Sequence, residues 1–467
     1  MATSPKPSPL QRLRTALATV LAGTVVAAAL GCGQTGALTG AERTAAAKAA
    51  KNANGFLWGV ATAGHQWEGG DRHSNWAKWV SGPNVMDPNP AGVMGYTQYE
   101  QDMDLAKGMG CNSFRLSIEW SRIEPVKGQI DWAEVAHYHR VLDALHARGM
   151  TPVVTLLHFA YPAWLDAEGG WENGKAVDAY KRHAAFIAKE FGSKIEWYLT
   201  FNEPNMLLLC GYGNGTFPPG KKMALWAAAK VGMNLVKGHK AAYEAVHAND
   251  PQAKVSFNMY AAEYKIGKQP GLEAASEGGA QPGGQDDLFL AGAMGEDEKR
   301  GGKKYMDYVS FDYYSRNWMS LPVSVVEHDQ WEVYPEGFYK AIKRYHARTG
   351  LPVLIAENGM ATYDLKPRKD GWTRGAYLAA HVKEMQRAMR EGVPVVGYIH
   401  WSISDNYEWG TYKPRFGLYS VEAKAGDFRR TPTDGVDAYR RVIASNGWTP
   451  EIGARYAPPM ATFAAKR

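Results

Sequence analysis

Residues 112–159 contain NSFRLSIEW (112–120), WAEVAHYHRVLDALHARGM (132–150) and TPVVTLLHF (151–159), with a short polar link over 121–131. The outer two pieces are short apolar runs of strand character. The middle piece has apolar residues at helical spacing and stops at a glycine. A near-continuous Val, Ile and Leu run predicts a strand buried on both faces, as in a parallel sheet covered by helices. The unit recurs along the chain as FLWGVATA (56–63), NSFRLSIEW, TPVVTLLHF, IEWYLTFNEP (195–204), AKVSFNMY (253–260), DYVSFDYY (307–314), PVLIAENG (352–359) and VPVVGYIHW (393–401). Helical patterns such as TRGAYLAAHVKEMQRAMREG lie between them. Eight alternating units predict an α/β fold, a single (β/α)8 TIM barrel. A doubly wound open sheet is the competing architecture, and at this length it would be split into domains.

The 467 residues, 45% hydrophobic and 21% charged, belong to a folded globular protein rather than to a disordered or fibrous one. The net charge of +6 is concentrated near the start. Lys6, Arg12 and Arg14 lie in residues 1–31, which hold no acid, and Arg43, Lys48 and Lys51 oppose only Glu42 before Asn52. The remainder is nearly neutral, which argues against a nucleic-acid partner.

The basic stretch precedes an apolar run from Thr15 to Leu30, the order of an export signal. Ala29-Leu30-Gly31-Cys32 resembles a bacterial lipobox, so residues 1–31 are expected to be removed and Cys32 lipidated. The expected location is the bacterial cell envelope, held by acyl chains, or a secreted or periplasmic one if Cys32 stays unmodified. Membrane contact is expected only through that anchor. Residues 32–54, with Leu38 as their one large apolar residue, read as a flexible tether before a catalytic domain at 55–467. A Gly-rich polar stretch at about 265–304 reads as a surface insertion before the sixth strand. Cys111 and Cys210 do not make a disulfide framework, and whether they pair is open. There is no CxxC or HExxH spacing, no GxGxxG opening a helix after a strand, and no cofactor or metal is expected.

Polar residues at the carboxyl ends of barrel strands read as functional. Here His65, Gln66 and Glu68 follow the first strand and Arg115 lies within the second. His158 closes the third, Asn202-Glu203 the fourth, Tyr313-Tyr314 the sixth, Glu357-Asn358 the seventh and His400-Trp401 the eighth. Two carboxylates on different strands suit glycosidic hydrolysis, one as general acid and the other as nucleophile or base. For either alone, an ion pair with Arg115 is the structural alternative.

The pieces ATAGHQWEG (61–69), FRLSIEWSRIEP (114–125), TLLHFAYPAWL (155–165), TFNEP (200–204), GYGNGTFPPG (211–220), IAENG (355–359) and GYIHWSISDNYEWGTYKPRFGLY (397–419) resemble glycoside hydrolase family 1, the β-glucosidase-like retaining enzymes, from Phe56 to Tyr419. The resemblance implies Glu203 as acid/base and Glu357 as nucleophile, with Arg115 and Tyr314 holding Glu357 anionic. It implies Gln66, His158, Asn202 and Glu408 as ligands of sugar hydroxyls, and Trp401 and Trp409 as the indoles beside the ring. The implied substrate is a small β-glycoside or oligosaccharide. Glu408-Trp409 also differs from the branch that takes 6-phosphorylated sugars, where a lysine meets the phosphate. The implied activity is a retaining exo-β-glycosidase, β-glucosidase first. A non-catalytic sugar-binding surface protein on the same barrel, or a transglycosidase using the same residues, are the other readings. Asp312 stands where the family usually has Asn, His65 where it commonly has Tyr, and the stretch from Trp409 to Tyr412 is one residue short.

Overall fold

The structure is a computed structural model that describes residues 55–83, 85–89, 91–266, 284–296, 303–319, 328, 331–363 and 368–459. The expected signal (1–31) and tether (32–54) lie outside the described residues. Eight strands form a closed barrel: Leu57–Ala61 (β1), Ser113–Ser117 (β2), Thr151–Thr155 (β3), Trp197–Asn202 (β4), Lys254–Ile266 (β5), Val309–Met319 (β6), Val353–Asn358 (β7) and Val395–Trp401 (β8). Every neighbouring pair is parallel and the order follows the chain. Pairing of Leu57 with Gly397 closes the ring between β1 and β8. The fold is the expected (β/α)8 barrel.

One principal helix follows each strand: Gly95–Gly108 (α1), Trp132–Ala147 (α2), Lys175–Phe191 (α3), Leu225–Asn249 (α4), Gly284–Ala293 (α5), Pro335–Thr349 (α6), Arg374–Arg390 (α7) and Asp434–Ala444 (α8). Local chemistry sets several ends. Asp131 caps α2 by accepting from the N–H groups of Ala133 and Glu134, and Thr373 caps α7 by accepting from Ala376 N–H. Just past α6, Gly350 takes φ 70°, which a glycine adopts without the Cβ penalty.

Side chains divide between two apolar layers. Leu57, Trp197, Leu199, Leu354, Val396 and Ile399 belong to the cluster inside the barrel. Phe114, Val154, Tyr198, Phe311, Val353 and Tyr398 belong to the larger cluster between strands and helices. Cys111 and Cys210 are both buried with free thiols.

The Gly-rich stretch departs from expectation in its described part. Residues 284–293 form α5, and Phe289, Leu290 and Ala293 are buried against the helical layer. The apolar run DLFLAGAM (287–294) makes this the regular helix between β5 and β6, and its Gly-rich surroundings hide it in the sequence.

Candidate active site

Both strands that carry a glutamate at or just past their carboxyl end are irregular there. The pairing register of β4 with β5 shifts between Leu199 and Asn202, and that of β7 with β8 shifts between Ile355 and Asn358. Ala356 packs in the barrel interior, so strict alternation would send Glu357 outward. The irregularity rotates Glu357 into the mouth and leaves Asn358 on the helix side, where its amide donates to Tyr377 Oη on α7. Glu203 stands directly after β4 with φ 40° and ψ 59°, a left-handed conformation that a non-glycine residue rarely takes. Pro204 starts the next helix and disfavours a right-handed helical conformation at Glu203.

Carboxylate oxygens of Glu203, Asp312 and Glu357 lie within 4.8 Å of one another. Arg115 is fully buried and organises the floor of the site. Its Nη1 donates to Glu357 Oε1 and to the carbonyl of Ala356, its Nη2 to Asn202 Oδ1 at 2.6 Å and Asn258 Oδ1 at 3.4 Å, and its Nε to Thr155 Oγ1 at 3.1 Å. Tyr314 donates its phenol to Glu357 Oε2. Asn258 Nδ2 donates to Asn202 Oδ1 at 2.7 Å and to Asp312 Oδ2.

These contacts separate the two glutamates electrostatically. Burial raises the pKa of both. Glu357 is then pulled back toward ionisation by the Arg115 charge and by the hydrogen bonds from Tyr314 and Arg115. Glu203 is pushed further up by the charges of Asp312 and Glu357 and stays well above the carboxylate range. One acid is thus poised to give a proton and the other to act as an anion.

The rim is built from segments that follow β1 and β3 and from the end of β8 and the loop after it. Gln66 lies on the short helix Gly64–Trp67 and donates through Nε2 to Glu408 Oε2 at 3.1 Å and Asn406 Oδ1 at 3.3 Å. Burial and the Glu357 charge hold the Glu408 carboxyl up at about 8. The His158 ring lies near-parallel to two indoles, 5.7 Å from Trp401 and 5.7 Å from Trp409. Trp409 is backed on another side by His65, parallel at 6.0 Å, and His65 is held by Asp71 at 2.9 Å. Gln66 Oε1 and His158 Nδ1 are buried with no hydrogen-bond partner among the described residues, and Asn202 has its Nδ2 uncommitted. Such groups suit hydroxyls of a bound sugar.

The structure therefore brings Arg115, Asn202, Glu203, Tyr314 and Glu357 into direct contact or close reach, with Gln66, His158, Trp401, Glu408 and Trp409 around them. Three other strand-end residues face away. Tyr313 donates to the carbonyl of Tyr334, Asn358 faces α7, and His400 packs near Tyr439 of α8. Glu68 is tied to Arg122 and Tyr138 instead. Sequence reasoning missed Asn258, although a lone Asn inside the apolar run AKVSFNMY is a legible signal.

Residues 49–277 and 321–448 match the profile of glycosyl hydrolase family 1. The chain is 29% identical to beta-glucosidase A of Thermotoga maritima, covering 84% of this chain and 98% of that protein. It is 27% identical to a beta-galactosidase of Pyrococcus woesei, covering 85% and 98%. Among solved structures, a beta-glycosidase from Pyrococcus horikoshii superposes with a TM-score of 0.75 at 29% identity, covering 86% of this chain and 97% of that one. Because the family match takes in most of the barrel and these relatives align along almost their whole lengths, the chain belongs to glycosyl hydrolase family 1.

Proposed function

We propose that the protein is a retaining exo-β-glycosidase that releases terminal nonreducing sugars from unphosphorylated β-glycosides, with glucosides as the principal substrates. The observation that carries this is the close pair Glu203 and Glu357, of which only Glu357 is anchored to Arg115 and Tyr314. Carboxyls ~5–5.5 Å apart leave no room for a water between the second carboxylate and the anomeric carbon, so that carboxylate attacks directly. Glu357 forms the bond to the anomeric carbon as the glycosidic bond breaks, and Glu203 gives its proton to the departing oxygen. Glu203 then removes a proton from water as that water displaces Glu357, with net retention of configuration. The names of the relatives support both glucosides and galactosides as substrates. Gln66 and Glu408, bonded to each other, present acceptor oxygens that serve more than one hydroxyl arrangement.

The test is turnover on a panel of nitrophenyl β-glycosides with the product anomer followed by NMR. Glu203→Ala is expected to reduce kcat/KM by ~10²–10⁴-fold for alkyl or sugar leaving groups, the usual worth of a general acid. The loss should shrink for dinitrophenolate, which departs without a proton. Equal losses for both leaving groups would remove Glu203 from the acid role.

Export and anchoring through Cys32 remain part of the same proposal, supported by the order of basic stretch, apolar run and lipobox-like motif. No described helix is long and apolar enough to cross a membrane. Cys32→Ala should move the protein from the membrane fraction to the soluble one, and unchanged partitioning would rule out lipidation as the anchor.

A further inference from the structure

Asp312, on β6, is fully buried between the two glutamates, and the mechanism above does not use it. Among the described residues, Arg115 is the one basic side chain bonded to this cluster, and its ion pair goes to Glu357. With Glu357 ionised, Glu203 and Asp312 would place two further negative charges in a buried space with no second cation. A buried pair of this kind relieves the repulsion by keeping one proton.

The hydrogen bonds say where that proton rests. Arg115 donates to Asn258 Oδ1, which fixes the amide so that Asn258 Nδ2 faces Asp312 and donates to its Oδ2. Burial and the Glu357 charge push the Asp312 carboxyl well above its ordinary value, and the Asn258 donor works against that shift by stabilising the anion. The Glu203 carboxyl accepts no hydrogen bond from a described residue; it lies with an oxygen within 4.8 Å of Asp312, whose Oδ1 is buried with no partner among the described residues. A proton on Glu203 and a charge on Asp312 satisfies both groups. The reverse leaves a Glu203 anion without a neutral donor and wastes the Asn258 amide.

We infer that Asp312 is a positioning residue for the acid/base step, holding the proton on Glu203 through a shared carboxyl–carboxylate hydrogen bond oriented by Arg115 and Asn258. The inference rests on the glycosidase reading and deepens it. In the first half-reaction the Glu203 proton passes to the leaving oxygen. In the second, Glu203 beside the Asp312 charge is a stronger base toward water, from which it recovers the proton. The other groups facing the pair are Glu357 on β7, which adds negative charge, the Tyr314 phenol on β6, and Arg115 on β2. His158, past the end of β3, is held toward its neutral form, since burial and the Arg115 charge keep its imidazole well below its ordinary value.

The experiment is the pH dependence of kcat/KM for wild type and Asp312→Asn on a nitrophenyl β-glycoside. The basic limb reports ionisation of Glu203 in the free enzyme. An adjacent anion raises that pKa, so its removal lowers it. The basic limb should move to lower pH by about one unit or more in Asp312→Asn, with the acid limb following Glu357. An unmoved basic limb in an active variant would overturn the inference while leaving the glycosidase reading intact. Absence of β-glycosidase turnover in wild type would overturn that reading, and this inference with it. If Asp312→Asn fails to fold, Asp312→Ser, which also removes the carboxyl, is measured in the same way and judged by the same limb.

Discussion

Glu357→Gly is expected to lower kcat on a nitrophenyl β-glucoside by at least ~10⁴-fold, or ~5.5 kcal/mol of transition-state stabilisation. The reason is chemical, because no other described side chain is placed as Glu357 is. Its two oxygens are held by Arg115 and Tyr314, and the register shift in β7 aims it inward. Glu203 is pushed toward its protonated form by burial and by the Asp312 and Glu357 charges, and Asp312 accepts from Asn258. Truncation to Gly opens a space beside a buried guanidinium and a phenol, which suits a small anion. Azide added at high concentration should therefore restore turnover and give an α-glycosyl azide, with the configuration inverted because only one displacement occurs. NMR of the product checks this, and a Glu357→Gly enzyme as active as wild type would end the proposed mechanism.

Arg115→Met should be the most damaging single change for stability and activity together. Arg115 is fully buried, and its donors reach Glu357, Asn202, Asn258, Thr155 and the carbonyl of Ala356. Removing one member of a buried ion pair costs about 3–5 kcal/mol, because the other charge is left without compensation. Glu357 can escape part of that by taking up a proton, since loss of the guanidinium removes the largest influence holding its pKa down. The sign follows directly. Glu357 must be ionised to attack, its pKa rises without the opposite charge, and the acid limb of the pH profile moves to higher pH. The Glu203 pKa also rises, but less, because Arg115 does not bond to it directly. A narrowed bell, a lowered Tm and reduced kcat are expected together. Arg115→Lys should rescue only part of this, since an ammonium cannot reproduce the planar fork that reaches Glu357 and Asn202 at once. A profile whose acid limb stays in place would show that another group sets the Glu357 charge.

The eight strands were legible because each is buried on both faces, which writes Val, Ile and Leu almost without interruption into runs such as PVLIAENG and VPVVGYIHW. The site was legible for a related reason, that a charged residue ending such a run has few structural excuses. Which of two adjacent polar residues enters the cleft was not. Glu357 and Asn358 look equivalent in sequence, as do Tyr313 and Tyr314. In β7 the choice is made by the register shift, a property of how two strands pair, and the neighbouring strand lies far away in sequence. In β6 plain alternation decides, with Asp312 and Tyr314 inward and Tyr313 outward. Asn258 was missed because its role is visible only once β4, β5 and β6 are side by side. Helix α5 was missed because its apolar face is only a few residues long and sits among glycines.

The closure of the ring also sets the order in which the chain can fold. β1 pairs with β2 on one side and with β8 on the other, and Leu57 meets Gly397, a partner 340 residues later. A chain that emerges from the ribosome amino end first carries β1 with one bare edge until the last strand is made. Joining ends so far apart is entropically slow, and nothing in the first half of the molecule can substitute for that contact. Truncation before Val395 should leave β1 and β7 as open, sticky edges rather than a smaller barrel.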